Sequence, residues 1–243
     1  MDQSLADNPI FAVASPSGRE RLVRASHSRT FAPGDPILRE GQEASSIYAL
    51  ESGAVRVYHL APTGEEVLLK LFRAPAVFGE AEALSGFPHQ EHVAAIEESR
   101  VLVMPVREVV RLLGAEPRCA LRALVDVSAR LAIAAYNEKS LAFNPLTIRL
   151  ASYLVDYATW TNPPDATEVC LALTQDEMAA AVGGTRRSVA KDIAGWQQEG
   201  LLERRGRGYV VRNLEALRRY SDTARLKLTY ALVEQRLASL LDH

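Results

Sequence analysis

The chain is poor in cysteine and has no long apolar run. Its 243 residues contain two cysteines, Cys119 and Cys170, whose separation fits neither a metal site nor a disulfide framework. We therefore predict two packed, reduced thiols. The absence of about 18 consecutive apolar residues argues against a membrane span. Residues 1–10 carry acids and lack the basic-then-apolar order of a signal peptide, which predicts a cytoplasmic protein.

Positive charge is also lacking overall, since the net charge is −2. Its distribution is nevertheless uneven. Residues 185–212 hold seven arginines and lysines against three acids. A local basic patch can bind phosphates without making the whole protein cationic, although runs of charge are more often solvated faces. The sequence has no GxGxxG or Walker-type loop and no nucleophile–base pair, so we predict that the protein is not an enzyme.

Residues 30–104 alternate short β-type runs with glycine turns. The runs cover residues 47–50, 55–58, 67–72 and 101–104, and the turns contain Gly34, Gly41, Gly53 and Gly64. Regular strands at this spacing are typical of a compact antiparallel barrel or roll.

A long helix is predicted from about residue 117 to residue 143, where the apolar period changes from two to about 3.5. One stripe collects its apolar positions: Leu121, Leu124, Val127, Leu131, Ala134 and Leu141. A narrow stripe with small residues beside it, Ala132 and Ala135, suits a contact between two copies of the chain. The alternative is a helix packed against its own β-roll. Asn144-Pro145 then predicts an N-cap and the first turn of the next helix.

The most informative segment follows near the C-terminus. Thr174 and Glu177 have the spacing of a capping box, which predicts a short helix over about 175–182. Gly183-Gly184 predicts a tight turn, because glycine tolerates a positive φ. Thr185 caps a second helix, which we expect to end near residue 199. Two short helices joined in this way are typical of a helix-turn-helix.

The second helix has an inner and an outer face. Val189, Ile193 and Trp196 follow helical spacing and should face the core. Arg186, Arg187 and Lys191 lie elsewhere on the helix, and we predict that they read bases in the major groove. A solvated basic face is the alternative. Residues 204–211 predict a two-stranded wing with an Arg-Gly tip. Contacts to DNA phosphates are predicted for Thr174, Thr185, Ser188, Arg204, Arg205 and Arg207.

At this point the chain resembles the cyclic-AMP receptor protein/FNR (CRP/FNR) family of bacterial transcription regulators over residues 28–215. The motifs that carry the resemblance are Phe31 to Ile37, Glu40-Gly41, Tyr48 to Leu50, Gly53 to Val57, Phe78 to Glu80, Ser140 to Phe143, Leu173 to Glu177 and Gly183 to Val189. The family implies a β-roll, a long dimerisation helix and a winged helix that reads a near-palindrome. The partners it implies are double-stranded DNA, a second copy of the chain and RNA polymerase.

The resemblance weakens at the effector pocket, which it places at Gly79, Glu80, Glu91, His92, Ala134 and Ala135. Members that bind cyclic nucleotides keep the Gly-Glu pair and place an arginine on the phosphate about ten residues later. Glu91 lies nearest to that arginine position and would repel a phosphate. Ala134 and Ala135 replace the family hydroxyls that contact adenine. We therefore expect an unknown small-molecule effector other than cyclic AMP, or none.

Other cofactors also lack support in the sequence. No cysteine precedes Cys119, which excludes the N-terminal iron–sulfur cluster of the oxygen-sensing branch. His59, His89 and His92 are candidate haem or metal ligands, but histidines of a surface hairpin more often face solvent. We predict no metal and no cofactor. A cyclic-nucleotide- or haem-responsive family member is the alternative, and a ligand-binding module whose winged helix contacts protein is a more distant one.

The reading helix departs from the family as well. Many members have Arg-Glu where this chain has Arg186-Arg187, and the glutamate accepts a hydrogen bond from cytosine. Arginine has only donors, so we expect a half-site that differs from TGTGA at that base pair. Beyond the wing, the spacing of Leu226, Tyr230, Val233, Leu237 and Leu240 predicts an amphipathic helix, packed on the winged helix or on a partner.

These inferences define an α+β fold with five parts. They are an N-terminal segment (1–27), a β-roll sensor domain of the cyclic-nucleotide-binding type (28–113), a dimerisation helix (114–143), a winged helix-turn-helix domain (144–213) and a C-terminal helical extension (214–243).

Overall fold

The computed structural model describes residues 5–8, 10–60, 64, 66–162 and 168–222. These residues divide into two compact units. Residues 5–58 and 71–130 belong to the first, and residues 59–70 and 131–222 to the second. The predicted amphipathic residues Leu226, Tyr230, Val233, Leu237 and Leu240 lie outside the described residues. None of the described helices is long and apolar enough to cross a membrane.

The β-roll consists of two four-stranded sheets. Its strands are β1 (His27–Phe31), β2 (Pro36–Leu38), β3 (Ser46–Ser52), β4 (Ala54–Leu60), β5 (Glu66–Arg73), β6 (Ala76–Phe78), β7 (His92–Ala95) and β8 (Ser99–Pro105). One sheet has the order β1-β8-β3-β6 and the other β2-β7-β4-β5. The four predicted runs fall within β3, β4, β5 and β8, so the predicted roll is confirmed.

Helices precede, interrupt and follow the strands of the roll along the chain. They are α1 (Pro16–Arg24), α2 (Glu80–Ser85), α3 (Val106–Ala115) and α4 (Pro117–Phe143). The predicted long helix therefore has the expected bounds. The division made at residue 114 falls within the last turn of α3, because that helix and α4 follow each other with only Glu116 between them.

The two thiols differ in their surroundings. Cys119, at the start of α4, is completely buried, and its thiol donates to the carbonyl oxygen of Ile10 at 3.3 Å. Burial raises the pKa of this thiol to about 11. Cys170 is exposed, so the prediction of a packed thiol is confirmed for Cys119 and wrong for Cys170. Cys170 lies on the exposed face of a short strand, whereas its neighbour Leu171 is buried, because successive side chains of a strand point to opposite faces.

The second unit contains a small sheet surrounded by helices. Its elements are α5 (Leu146–Thr161), β9 (Val169–Leu171), α6 (Gln175–Ala181), α7 (Arg186–Gln198), β10 (Leu202–Arg205), β11 (Gly208–Val211) and α8 (Leu214–Arg218). The strands pair antiparallel in the order β10-β11-β9. Leu150, Leu154, Met178, Ile193 and Leu217 are fully buried between these elements and form the core.

The start of α5 corrects one prediction. Pro145, not Asn144, occupies the N-cap position, and no side chain caps the helix. The amide of Asn144 instead donates to Ser140 Oγ at 3.0 Å and to Asp222 Oδ2 at 3.1 Å. An amide nitrogen that donates in this way ties the end of α4 to residues far along the chain. This long-range pairing outweighs the local capping preference.

Candidate DNA-binding interface

The first helix of the predicted helix-turn-helix begins at a complete capping box. Glu177 N donates to Thr174 Oγ1 at 3.2 Å, and Thr174 N donates to Glu177 Oε2 at 2.6 Å. Two backbone donors that the helix leaves unpaired are thereby satisfied. The predicted start of α6 is confirmed, and Thr174 presents its half-buried side chain at that start.

The turn between α6 and α7 is held by contacts with α5. Gly183 has a φ of 61°, as the turn requires. Gly184 has an ordinary backbone, but an added Cβ would lie 2.5 Å from Leu146 Cδ1. The Arg149 guanidinium donates to the carbonyl oxygens of Val182 at 3.0 Å and Gly183 at 3.3 Å. Sequence reasoning missed Arg149, because its role depends on a contact 33 residues away along the chain.

The two faces of α7 differ as predicted. Val189, Ile193 and Trp196 are at most 2% exposed and belong to the core. Arg186, Arg187 and Lys191 are all exposed. The guanidinium of Arg186 lies 3.6 Å from the Asp176 carboxylate on α6, in an exposed ion pair that is worth little in water.

The start of α7 uses hydroxyl groups as a cap. Ser188 N donates to Thr185 Oγ1 at 3.2 Å, and the two hydroxyl oxygens lie 3.0 Å apart. Both residues are exposed. The predicted cap is therefore confirmed, and the same two hydroxyls remain accessible to a phosphate.

The predicted wing is the hairpin β10–β11. Gly206 at its tip has a φ of 57°, and Arg204, Arg205 and Arg207 are exposed around it. The Arg204 guanidinium lies 5.9 Å from the centre of the Tyr209 ring. The hydroxyl of Tyr209 accepts a hydrogen bond from Gln175 Nε2 at 3.0 Å. The wing is thus joined to the first turn of α6.

A groove of about 480 Å³ runs between this wing and the start of α6. It is lined by side chains of β9 and β11 together with Thr174, Arg205 and Arg207. The structure therefore brings three of the six predicted phosphate contacts to one place. The other three, Thr185, Ser188 and Arg204, lie outside the groove.

The predicted effector residues of the first unit surround the turn into α2. Gly79 has a φ of 75°, and an added Cβ would lie 2.9 Å from Tyr48 Cδ2. Glu80 is 6% exposed, and its Oε1 accepts a hydrogen bond from Arg130 Nη1 at 2.7 Å. Arg130 also donates to the Val77 carbonyl oxygen at 3.0 Å. No local sequence pattern indicated Arg130, which reaches the turn from α4.

The histidines of this region occupy different environments. His89 is 2% exposed, and its imidazole lies 3.8 Å from the Glu82 carboxylate. The expectation that it faces solvent is wrong, because the loop turns its ring under Gly79 and towards Tyr48. Burial lowers the pKa of His89. His92 is half-buried and stacks on Tyr58 with ring centres 5.2 Å apart.

The remaining predicted effector residues are less enclosed. Glu91 is half-buried, whereas Ala134 and Ala135 are exposed on α4 and belong to the second unit. Within the described residues, no group of three or more His, Cys, Asp or Glu side chains could hold a metal ion.

The predicted dimer seam consists of Leu121, Leu124, Val127, Leu131, Ala134 and Leu141. In the single chain, Leu124 is 61%, Leu131 69% and Leu141 55% exposed. Phe143 at the end of α4 is 78% exposed. Leu121 and Val127 are half-buried and Ala134 is exposed. A stripe of large apolar side chains on one helix is left in contact with water, as expected of a surface that binds another protein.

A roll, a long helix with an exposed apolar seam and a winged helix-turn-helix define a DNA-binding protein with a sensor-type domain. Residues 28–116 match the cyclic nucleotide-binding domain family, and residues 148–220 match the Crp-like helix-turn-helix domain family.

Curated relatives extend these matches over most of the chain. The transcriptional regulator LdrP of Thermus thermophilus is 32% identical over 203 residues, which cover 81% of this chain and 97% of that protein. The CRP-like cAMP-activated global transcriptional regulator of Mycobacterium tuberculosis is 28% identical over 221 residues, covering 90% and 99%. A solved CRP/FNR-family regulator of Thermus thermophilus has a TM-score of 0.63 at 27% identity and covers 80% and 97%.

The chain belongs to the CRP/FNR family of transcription regulators. The family consists of DNA-binding regulators and not of enzymes. The global regulator CLP of Xanthomonas campestris, described as c-di-GMP responsive, shares the fold with a TM-score of 0.65 at 22% identity over 82% of this chain and 100% of that one.

Proposed function

We propose that the chain is a sequence-specific transcription regulator that binds a near-palindromic DNA site as a homodimer. The observation that carries the proposal is the pair of faces on α7. One face is buried in the core, and the other presents Arg186, Arg187 and Lys191 to solvent. A helix held in this way can enter the major groove with its long basic side chains directed at base edges.

The bases and the phosphates are contacted by different residues in this proposal. Arg186 donates a pair of hydrogen bonds to guanine, while Arg187 and Lys191 contact neighbouring bases. Phosphates are contacted by Thr174, Thr185, Ser188, Arg204, Arg205 and Arg207. These contacts add affinity and salt dependence, whereas the three base-reading residues determine the sequence that is selected.

Dimerisation follows from the exposed seam of α4. Two copies of α4 that pair along Leu124, Leu131 and Leu141 remove these side chains from water. A two-fold dimer presents two recognition helices to half-sites about one DNA turn apart, and so reads a palindrome. Through this site the dimer regulates transcription with RNA polymerase as its further partner.

The effector proposed for the roll is a small molecule other than cyclic AMP, or none. Glu91 offers a carboxylate where a cyclic phosphate needs a donor. Ala134 and Ala135 have no hydroxyl to contact adenine. Glu80 of the Gly-Glu pair accepts a hydrogen bond from Arg130 in the structure. The relatives respond to different ligands, since one is described as cAMP-activated and another as c-di-GMP responsive.

The test is selection of binding sites from a random DNA pool by the purified full chain, with and without cyclic AMP. We expect one near-palindrome to be enriched without added nucleotide. Arg186→Ala should abolish that enrichment, because the guanine contact is lost. The control is Arg219→Ala, which removes an exposed arginine outside the recognition helix. Enrichment that requires cyclic AMP would overturn the effector proposal, and no enrichment under either condition would overturn sequence-specific DNA binding in the absence of an effector.

The same selection tests the altered half-site. Arg187→Glu introduces an acceptor for cytosine, so the preferred base pair at that position should change while the rest of the site is retained. If wild-type protein already selects TGTGA unchanged, the role given to Arg187 is wrong.

A further inference from the structure

A carboxylate stands among the wing arginines. Glu168 precedes β9, the strand that pairs with β11 of the wing. One of its oxygens forms a short hydrogen-bonded ion pair with Arg205 Nη1. The other lies 3.6 Å from Arg212 Nη1. Arg212 in turn donates from Nε to Glu203 Oε2 at 2.8 Å.

These four side chains form a network with no net charge. All of them are at least one-third exposed, so they share the surface that the wing presents to solvent. Among the described residues, no ion pair involves Arg204 or Arg207. Two of the four arginines near the wing therefore carry an uncompensated charge, and two are matched by carboxylates.

The matching carboxylate is ionised at neutral pH. The hydrogen bond from Arg205 lowers the pKa of Glu168. A full negative charge therefore stands beside a predicted phosphate contact, next to the groove that Arg205 and Arg207 line. DNA that approaches the wing meets Arg205 already paired.

An ion pair between a wing arginine and a carboxylate lowers the affinity of the protein for DNA. DNA affinity arises largely from counterions that leave the phosphates when a protein's cations replace them. An arginine that is already neutralised by a carboxylate adds no net replacement. The energetic value of the ion pair itself is small because it is exposed, so it costs the protein little to keep or lose.

We propose that Glu168 is an affinity-limiting residue that withholds Arg205 from the DNA backbone. The inference rests on the proposed DNA-binding function and refines it, because Arg205, one of the six proposed phosphate contacts, adds no net affinity while Glu168 is charged. Glu168 lowers sequence-independent attraction to phosphates and leaves base reading by α7 unchanged. The affinities for specific sites and for random DNA are therefore lowered by the same factor, and their ratio is unchanged.

The test is Glu168→Gln, measured by fluorescence anisotropy with a selected DNA site at several salt concentrations. Arg212 keeps Glu203 as a partner, so only Arg205 is released. One additional replaced counterion steepens the slope of log K against log[salt] by about 0.9. When the salt is lowered from 1 M to 0.1 M, the affinity of the variant should therefore rise about eightfold more than the affinity of the wild type. The gain should be equal on selected and random DNA.

Two further variants test whether the gain in affinity comes from the release of Arg205 or from the loss of any exposed carboxylate. The matched control Glu215→Gln removes an exposed carboxylate paired with Arg218 on α8, and should change affinity less than twofold. The double variant Glu168→Gln/Arg205→Gln should return to wild-type affinity and slope, since a neutral pair has been removed. A melting curve for each variant checks that the fold is retained.

The outcomes are distinct. A gain for Glu168→Gln that disappears in the double variant supports the proposal. Unchanged or weaker binding by Glu168→Gln overturns the proposal, and so does a gain that persists in the double variant. In both cases DNA binding by the wild-type protein leaves the proposed function intact. No DNA binding by the wild-type protein overturns the proposed function itself.

Discussion

Leu131 offers the sharpest test of dimerisation through α4. Its side chain is 69% exposed in the single chain, and Leu131→Ala removes most of its apolar surface. Complete burial of a leucine is worth about 1.5–3 kcal/mol, so the exposed fraction corresponds to about 1–2 kcal/mol per side chain. A symmetric dimer contains two copies, which gives about 2–4 kcal/mol. The dimer Kd should therefore rise roughly 30- to 700-fold.

The assay is sedimentation equilibrium of the full chain over a concentration series, and the control is Leu84→Ala. Leu84 is 47% exposed on α2 and is not one of the predicted seam residues, so its substitution should leave the dimer Kd unchanged. Binding to a palindromic site should weaken in parallel with dimerisation for Leu131→Ala. A dimer Kd within threefold of wild type would show that the α4 seam is not the interface.

Three further predictions concern stability and reactivity. Gly208→Ala places a Cβ against the backbone carbonyl oxygen of Leu171 in β9, so the free energy of unfolding in urea should fall by an amount near the upper end of about 1–3 kcal/mol. Gly206→Ala meets no neighbouring atom, so it should cost only about 1 kcal/mol, because its backbone is left-handed. The unfolded chain binds a proton at His89 more readily than the folded one, so the free energy of unfolding should fall as the pH drops below about 6.5, and His89→Gln should flatten this dependence. Iodoacetamide should alkylate Cys170 in the native protein and spare Cys119, and equal labelling of both would contradict the burial of Cys119.

Local sequence patterns predicted the helix-turn-helix well. The capping box at Thr174, the cap at Thr185 and the spacing of Val189 and Ile193 each act within one or two helical turns. Such signals are independent of the rest of the chain, so they can be read without a structure. The assignment of Arg186, Arg187 and Lys191 to bases stays a prediction.

Residues whose roles depend on distant contacts were missed. Strand β9 has only three residues, and its pairing with β11 joins segments about 40 residues apart, as in the pair Cys170–Val210. Arg149 and Arg130 act on carbonyl groups of other elements, which no local pattern indicates. Asn144 was expected to cap a helix, but its amide is engaged by Asp222. Tertiary contacts outweigh propensity at these positions.

The separation of the two faces of α7 also has an evolutionary consequence. The residues that hold the helix in place, including Trp196 and the Thr185 cap, are distinct from those that meet DNA. Exchanging Arg186, Arg187 or Lys191 removes no core contact, and surface substitutions of this kind usually change stability by only about 0.5 kcal/mol. A lineage carrying this fold can therefore move to new operator sequences one residue at a time, through intermediates that remain folded.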